Sequence, residues 1–247
     1  MHRTGQEGAD GAGSAGEQAQ HSPAGGSGLI LPRSARTNLP VSRDTDMDQV
    51  SRARAELGQA KAELRGRVLA ARRAMSASQR DATGRDLRDV VLALPEMQMA
   101  GTVASYMSVG TEPGTRGLIF ALWKRGTYVL LPVLLEDGDL DWATYEGPDS
   151  LVPGPRGLLQ PTEARRGVTA VTSADVVIVP ALAVDGTGRR LGRGGGSYDR
   201  ALARVGTAVL TVALLYDGEL IAQVPADARD QPVRAAAMPR QGISRLG

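Results

Sequence analysis

The spacing of apolar residues predicts two helices in the first part of the chain. Between residues 49 and 74 the apolar side chains recur at intervals that place them on one face of a long amphipathic helix. They are Val50, Leu57, Leu64, Val68 and Ala71. Ser76 followed by Gln79 matches a capping box, which predicts that a second helix begins at residue 77. We expect this helix to end at Leu94, because Pro95 follows.

Beyond residue 100 the pattern changes to short β-branched runs that alternate with helical stretches. Strands are predicted at 102–107, 127–133, 175–180, 208–215 and 233–238, and helices at 114–125 and 198–205. Runs such as VVIVPAL are apolar without alternation, which is typical of strands buried on both faces. The predicted fold class is therefore α/β, a three-layer, mainly parallel open sheet with helices on both faces (Rossmann-like). Residues 137–155, rich in Gly, Asp and Pro, are predicted to form an antiparallel excursion at the sheet edge.

Residues 1–46 are unlike the rest of the chain. They are rich in Gly, Ser, Ala and Gln and have almost no large apolar side chains, so they cannot bury enough surface to offset chain entropy. We expect a disordered N-terminal tail, with Met47 as a candidate start, and one α/β domain over residues 47–247.

Composition excludes several classes of function. The chain has 29 basic and 27 acidic residues, and aromatic residues make up 3%, which disfavours a nucleic-acid surface. With no cysteine there is no disulfide, thiolate zinc site or cysteine nucleophile. Both histidines lie in the tail, so no Ser/His/Asp triad is supported. The apolar runs are too short to span a bilayer, and we expect a cytoplasmic protein without nucleic-acid or membrane partners.

The segment GTGRRLGRGGGSYDRAL, residues 186–202, carries the chemistry. It follows the predicted strand at 174–182 and leads into a helix that begins near Ser197. Its glycines can adopt positive φ and present successive N–H groups to an oxyanion, while nearby arginines add forked donors. The residues concerned are Gly192, Gly194, Gly195, Gly196, Arg189, Arg190 and Arg193. A phosphate-binding turn is favoured over a flexible turn with solvated arginines, because a strand precedes the loop and a helix follows it.

Known phosphate fingerprints do not match this loop. GxGxxG would need glycine where Ser197 stands, and the chain has no Gly-Lys pair for a P-loop. The string RLGRGGGSYDR instead resembles the signature loop of the 5-formyltetrahydrofolate cyclo-ligase family, also called methenyltetrahydrofolate synthetases. The resemblance extends from about Ala60 to Met238 and implies ATP-dependent, Mg²⁺-dependent conversion of 5-formyltetrahydrofolate to 5,10-methenyltetrahydrofolate.

The resemblance also implies which residues hold ATP and Mg²⁺. A KxxxR pair of the family's first helix corresponds to Lys61 and Arg65; judged from the sequence alone, these two are more typical of a solvated basic face, alongside Arg54, Arg67, Arg72 and Arg73. The other residues assigned to ATP are Arg190, Leu191, Gly192, Arg193, Gly194, Gly195, Gly196, Ser197 and Tyr198. Mg²⁺ is assigned to Asp199 and, from the family's VPxxxxD segment, to Asp230; Asp227 is interpreted as a surface residue.

The folate side is assigned in the same way. Met107, Glu112, Arg193, Ser197 and Tyr198 are the expected substrate contacts, with Arg193 on the transferring phosphoryl group and Tyr198 also in a catalytic role. Alternatives from the residues alone are a helix N-terminal acid for Glu112 and a packing role for Tyr198.

The chain departs from the family pattern at the signature loop. Ser197 stands where the family usually has the first of two tyrosines, and Gly195 stands where some members have lysine. The alternative to a cyclo-ligase is a divergent paralogue that binds a nucleotide or sugar phosphate without catalysis. A monomer or weak dimer is expected.

Overall fold

A computed structural model describes residues 43–247. Residues 1–42 of the predicted tail lie outside the described residues. The predicted boundary between this tail and the folded domain stays a prediction. The helices are α1 (Arg43–Ala74), α2 (Ala77–Leu92), α3 (Pro95–Met99), α4 (Arg116–Lys124) and α5 (Ser197–Arg204). None of these helices has both the length and the apolar character needed to cross a membrane.

Seven strands form the main sheet, and the five central ones are parallel. Within residues 43–247 the strands are β1 (Thr102–Ala104), β2 (Tyr128–Leu134), β3 (Leu140–Thr144), β4 (Leu151–Pro153), β5 (Leu159–Pro161), β6 (Val176–Pro180), β7 (Ala183–Asp185), β8 (Arg190–Leu191), β9 (Leu210–Leu214), β10 (Leu220–Ile221), β11 (Ala235–Met238) and β12 (Gly242–Arg245). The order in the main sheet is β12-β11-β9-β6-β1-β2-β3, with only the edge strands β12 and β3 antiparallel to their neighbours. Two small sheets, β10-β7-β8 and β4-β5, lie outside it.

The core has the two-sided arrangement that the continuous apolar strands predict. Along β6, Val176 and Ile178 pack in a cluster with α2, α3 and α4, whereas Val177 and Val179 pack on the opposite face with α5. Successive side chains of a strand point to opposite faces, so each apolar strand contributes to both layers. The predicted three-layer α/β class is confirmed.

The predicted helices are confirmed, with changes at their ends. The capping box at Ser76 forms as predicted. The first helix begins at Arg43 rather than at residue 49, and the second ends at Leu92 rather than at Leu94, after which Pro95 begins the short α3. Only the second half of the apolar face of α1 is used, because Val50 is 68% exposed while Leu64 packs on the small sheet of β7 and β8.

A β-hairpin that the sequence did not predict supports the glycine-rich segment. After β6 the chain forms β7, turns through residues 186–189 and returns as β8, so the glycine-rich loop follows this hairpin and not β6 directly. The buried carboxylate of Asp185 organises the turn by accepting hydrogen bonds from the N–H groups of Thr187 and Val224 at 2.9 Å each. Burial by itself would raise the pKa of Asp185. These hydrogen bonds and one from the Thr187 hydroxyl outweigh burial and hold the pKa below its ordinary value.

The turn leaves no space for a side chain at Gly188. Its φ is 81°, and a Cβ placed there would lie 2.2 Å from the carbonyl oxygen of Val233. We predict that Gly188→Ala lowers the free energy of unfolding by more than about 2 kcal/mol, because both the left-handed backbone and the clash oppose it. Thermal or urea unfolding measures the effect. Gly186→Ala is the matched control in the same turn, with open space around its Cβ, and is expected to change stability by less than about 0.5 kcal/mol. Equal stability of the two variants would contradict this account of the turn.

Candidate nucleotide and substrate site

The loop of residues 192–196 connects β8 to the first turn of α5. Gly194 and Gly196 have φ values of 101° and 68°, so two of the four glycines adopt the left-handed conformation. Gly196 is the N-cap residue of α5, which places the loop at the positive end of that helix. The glycines therefore precede a helix N-terminus, as the sequence predicts, and anion binding by the loop stays a prediction.

The loop separates two cavities. The strand-end cavity, about 300 Å³, lies at the carboxyl ends of the central strands, with Val109 and Glu112 after β1 and Ala181 after β6 in its wall. The helix cavity, about 720 Å³, is lined by Lys61 and Arg65 of α1. Both cavities are lined by Arg190, Gly192, Gly194, Gly195, Gly196 and Asp199. One stretch of backbone is thus accessible to a ligand on either side.

In the helix cavity Lys61 of α1 is paired with acids and Arg65 of α1 with the loop. Lys61 Nζ lies 2.6 Å from Asp230 Oδ2 and 3.1 Å from Asp227 Oδ2. Arg65 Nε donates to the carbonyl oxygen of Gly192 at 2.9 Å, which fixes the start of the loop. Asp227, interpreted as a surface residue, is partly exposed and also lines the helix cavity, where hydrogen bonds from Arg229 and then from Lys61 hold its pKa well below the usual range.

A partly buried ion pair lies beneath the loop. Arg190 Nη2 donates to Asp199 Oδ1 at 2.7 Å, and Arg190 Nη1 donates to the carbonyl oxygen of Pro180 at 3.1 Å. The main-chain N–H of Gln231 also donates to Asp199, at 3.3 Å. Arg190 therefore connects the end of β6 to α5. Its neighbour Leu191 lines the helix cavity and is buried against α1.

Glu112 and Tyr198 are two of the polar residues in the wall of the strand-end cavity. Burial raises the pKa of Glu112, although the Val109 N–H at 3.0 Å and Arg193 Nε at 3.1 Å from its carboxylate oppose the shift. Burial, followed by the nearby Glu112 carboxylate, raises the pKa of Tyr198, so its hydroxyl is neutral at physiological pH. A carboxylate, a guanidinium and a phenol thus meet beside the glycine loop.

Two predicted substrate residues have other contacts. Met107 is buried in the core cluster and lines neither cavity. Ser197 lines the strand-end cavity, and its hydroxyl donates to the carbonyl oxygen of Gly138 at 2.5 Å. Arg200 donates to the same carbonyl. Ser197 therefore also attaches the start of α5 to the loop between β2 and β3.

The structure adds Arg72 to the site. The interpretation of Arg72 as part of a solvated basic face is wrong, because it is 1% exposed and lines the strand-end cavity. The sequence spacing could have indicated that Arg72 is buried, because Leu64, Val68 and Arg72 follow one another at intervals of four residues and share one face of α1. Leu134, Leu140 and Leu158 also line this cavity, and the sequence reading did not assign them to the site.

The carboxylates of the helix cavity suit a metal ion that arrives with a phosphorylated ligand. Among residues 47–247 no cluster of three or more His, Cys, Asp or Glu side chains could hold a metal by itself. Mg²⁺ in nucleotide sites needs only one or two protein carboxylates, since phosphates and water supply the other oxygens. Asp199 and Asp230 line the same cavity as Lys61 and the loop, so the donor set fits.

Fold and site together define a class of protein. A parallel sheet carries ligand at the carboxyl ends of its strands, and a glycine loop with flanking guanidinium groups suits a phosphate chain. The chain is thus an α/β protein with a glycine-rich loop that suits a phosphate group, flanked by two cavities.

Comparison with known proteins identifies the family. The model of the 5-formyltetrahydrofolate cyclo-ligase family matches residues 57–239. The 5-formyltetrahydrofolate cyclo-ligase of Mycolicibacterium smegmatis is 36% identical over 192 residues, which cover 75% of this chain and 97% of that protein. The Escherichia coli K12 enzyme of the same name is 33% identical over 171 residues, with 68% and 94% covered.

A solved structure agrees. The 5,10-methenyltetrahydrofolate synthetase of Aquifex aeolicus superposes with a TM-score of 0.66 at 29% identity, covering 75% of this chain and 92% of that one. The chain belongs to the 5-formyltetrahydrofolate cyclo-ligase family, and the resemblance seen in the signature loop is confirmed.

The raised pKa of Glu112 predicts a pH-dependent effect of Glu112→Gln. A carboxyl whose pKa is raised on folding favours the folded state while it is protonated, and this contribution is lost as pH rises through the folded pKa. The glutamine variant should therefore gain stability relative to the parent as pH rises from the ordinary value of 4.5 to neutrality. Thermal unfolding at several pH values measures the difference, with the exposed Glu163→Gln as control. A difference that is constant or falls with pH would contradict the assignment.

Proposed function

We propose that the protein is a 5-formyltetrahydrofolate cyclo-ligase that uses ATP with Mg²⁺ and releases ADP and phosphate. The observation that carries this proposal is the placement of the glycine loop between two cavities, because a phosphoryl group must pass from one substrate to another. Family membership supports the same reaction.

The chemistry follows from the substrate. The formyl group on N5 is an amide, whose oxygen is a poor leaving group. Transfer of the γ-phosphoryl group of ATP to that oxygen makes phosphate the leaving group. N10 then attacks the formyl carbon, the carbon–oxygen bond breaks, phosphate departs and N10 loses its proton, which gives the methenyl bridge. Such catalysis depends mostly on positioning and charge neutralisation.

The helix cavity is the proposed ATP site. Lys61 and Arg65 supply charge from α1, and the backbone N–H groups of the loop, from Leu191 through Ser197, bind phosphate oxygens. Arg190 lines the same cavity beside Asp199. Tyr198 is the residue after Ser197 in α5, and a ligand reaches it from the strand-end cavity.

Asp199 and Asp230 are the proposed Mg²⁺ ligands. Mg²⁺ would neutralise phosphate charge during transfer. In the ligand-free structure these carboxylates pair with Arg190 and Lys61 respectively. Binding of ATP with its metal would exchange partners: the cations turn to phosphate and the carboxylates to Mg²⁺.

The strand-end cavity is the proposed folate site. Glu112 and Tyr198 would contact the pterin and formyl end, with Ser197 beside them. Arg193, which is half exposed and paired with Glu112, is free to rotate towards the transferring phosphoryl group at the loop. Met107 would support Glu112 from the core. Cytoplasmic location and a monomeric or weakly dimeric state remain predictions.

The direct test is an absorbance assay. Purified protein with ATP, Mg²⁺ and 5-formyltetrahydrofolate should develop the near-ultraviolet absorbance of the methenyl product, and omission of ATP should abolish it. Binding of ATP without any product would contradict the proposed reaction and favour a non-catalytic paralogue.

Removal of the α1 cation should affect ATP more than folate. We predict that Lys61→Ala raises the KM for ATP by about tenfold or more, since a charge-assisted contact to phosphate is lost. The KM for 5-formyltetrahydrofolate should change far less. Arg52→Ala is the matched control, because Arg52 lies on α1 and lines neither cavity. Equal effects on the two substrates would contradict the assignment of the helix cavity to ATP.

A further inference from the structure

Arg72 is buried in the wall of the strand-end cavity with one donor nitrogen, Nη1, unused. Its Nε and Nη2 atoms donate to the two carboxylate oxygens of Glu219, each at 2.7 Å, and Nη2 also donates to the carbonyl oxygen of Ala181 at 2.7 Å. Nη1 is shielded from solvent and has no hydrogen-bond partner among the described residues. A buried, charged donor without an acceptor is unfavourable, so an acceptor is expected at Nη1 when the site is filled.

The guanidinium is held in place from several sides. Its Cζ atom lies 5.2 Å from the centroid of the Tyr216 ring, and Glu219 also accepts a hydrogen bond from the Tyr216 N–H at 2.9 Å. The Tyr216 hydroxyl donates to the main-chain carbonyl of Glu112 at 3.3 Å. Arg72 is therefore fixed before any ligand binds, and it is connected to the segment that carries Glu112.

The cavity around Arg72 suits the ring end of a folate better than its tail. Leu134, Leu140, Leu158 and Leu182 give it apolar walls that suit a flat ring system. The glutamate tail carries carboxylates that are costly to remove from water. The strongest hydrogen-bond acceptor on the pterin ring itself is its carbonyl oxygen, and this is the group best suited to the unpaired Nη1 donors of Arg72.

We propose that Nη1 of Arg72 donates a hydrogen bond to the ring carbonyl oxygen of the pterin, so that Arg72 is a substrate-binding residue that orients the formyl group towards the loop. This inference rests on the proposed function and names a recognition contact within the same site. Glu219 is then a positioning residue, which holds Arg72 through the paired hydrogen bonds.

The first experiment needs no variant. Titration of the parent protein, without nucleotide, compares 5-formyltetrahydrofolate with its 4-amino analogue, in which an amino group replaces the ring carbonyl oxygen. The analogue places a donor against the Arg72 donor, so its Kd should be higher by about tenfold or more. Equal affinity for the two compounds would overturn the proposal.

The second experiment assigns the discrimination to Arg72. Arg72→Gln combined with Glu219→Gln removes both charges together, which avoids leaving one of them buried and unpaired. This double variant should bind the two compounds with Kd values within about threefold of each other, with an unchanged KM for ATP. Arg73→Gln, on the exposed neighbour in α1, should keep the discrimination of the parent.

The remaining outcomes are distinguishable. If the folded double variant discriminates between the compounds as strongly as the parent does, Arg72 has a structural role only and the proposal is wrong. If the double variant does not fold, the parent titration decides. A parent that binds neither compound and forms no methenyl product would contradict the proposed function and, with it, this inference.

Discussion

The site depends on a single layer of backbone, residues 192–196, that separates two cavities. Two of its glycines adopt a left-handed conformation that other residues enter at a cost, and a Cβ at Gly192 would lie 2.8 Å from Arg190 Nη1. The layer is held at three places: Arg65 at its start, the Arg190–Asp199 ion pair beneath it, and Ser197 at its end. These contacts involve α1, β8, α5 and the loop between β2 and β3, so the fold as a whole positions the glycine loop.

Charge is balanced in the ligand-free molecule by internal pairs that a nucleotide would replace. Lys61 with Asp230 and Arg190 with Asp199 neutralise one another in the helix cavity, and Arg193 does so with Glu112 in the strand-end cavity. This arrangement avoids the cost of partly buried single charges. It also explains why acids and bases suited to Mg²⁺ and phosphate lie in direct contact before either has bound.

Much of the fold follows from local patterns in the sequence, and much of the site does not. The two-sided core follows from apolar strands such as β6, and the start of α2 follows from the capping box at Ser76. The β7–β8 hairpin is held by a buried aspartate and by contact with Val233, both of which depend on residues distant in sequence. Arg72 was misread for a similar reason: its partner Glu219 lies 147 residues away, and only the folded chain makes a buried arginine favourable.

The central claim is that the glycine loop is the common wall of a nucleotide site and a folate site. Hydrogen exchange of the protein with ADP and Mg²⁺ alone, and with 5-formyltetrahydrofolate alone, tests it most directly. Protection of residues 192–196 is predicted with either ligand, protection near Lys61 and Arg65 only with the nucleotide, and protection near Val109 and Glu112 only with the folate. The same pattern of protection from both ligands, or a loop unaffected by one of them, would contradict the account.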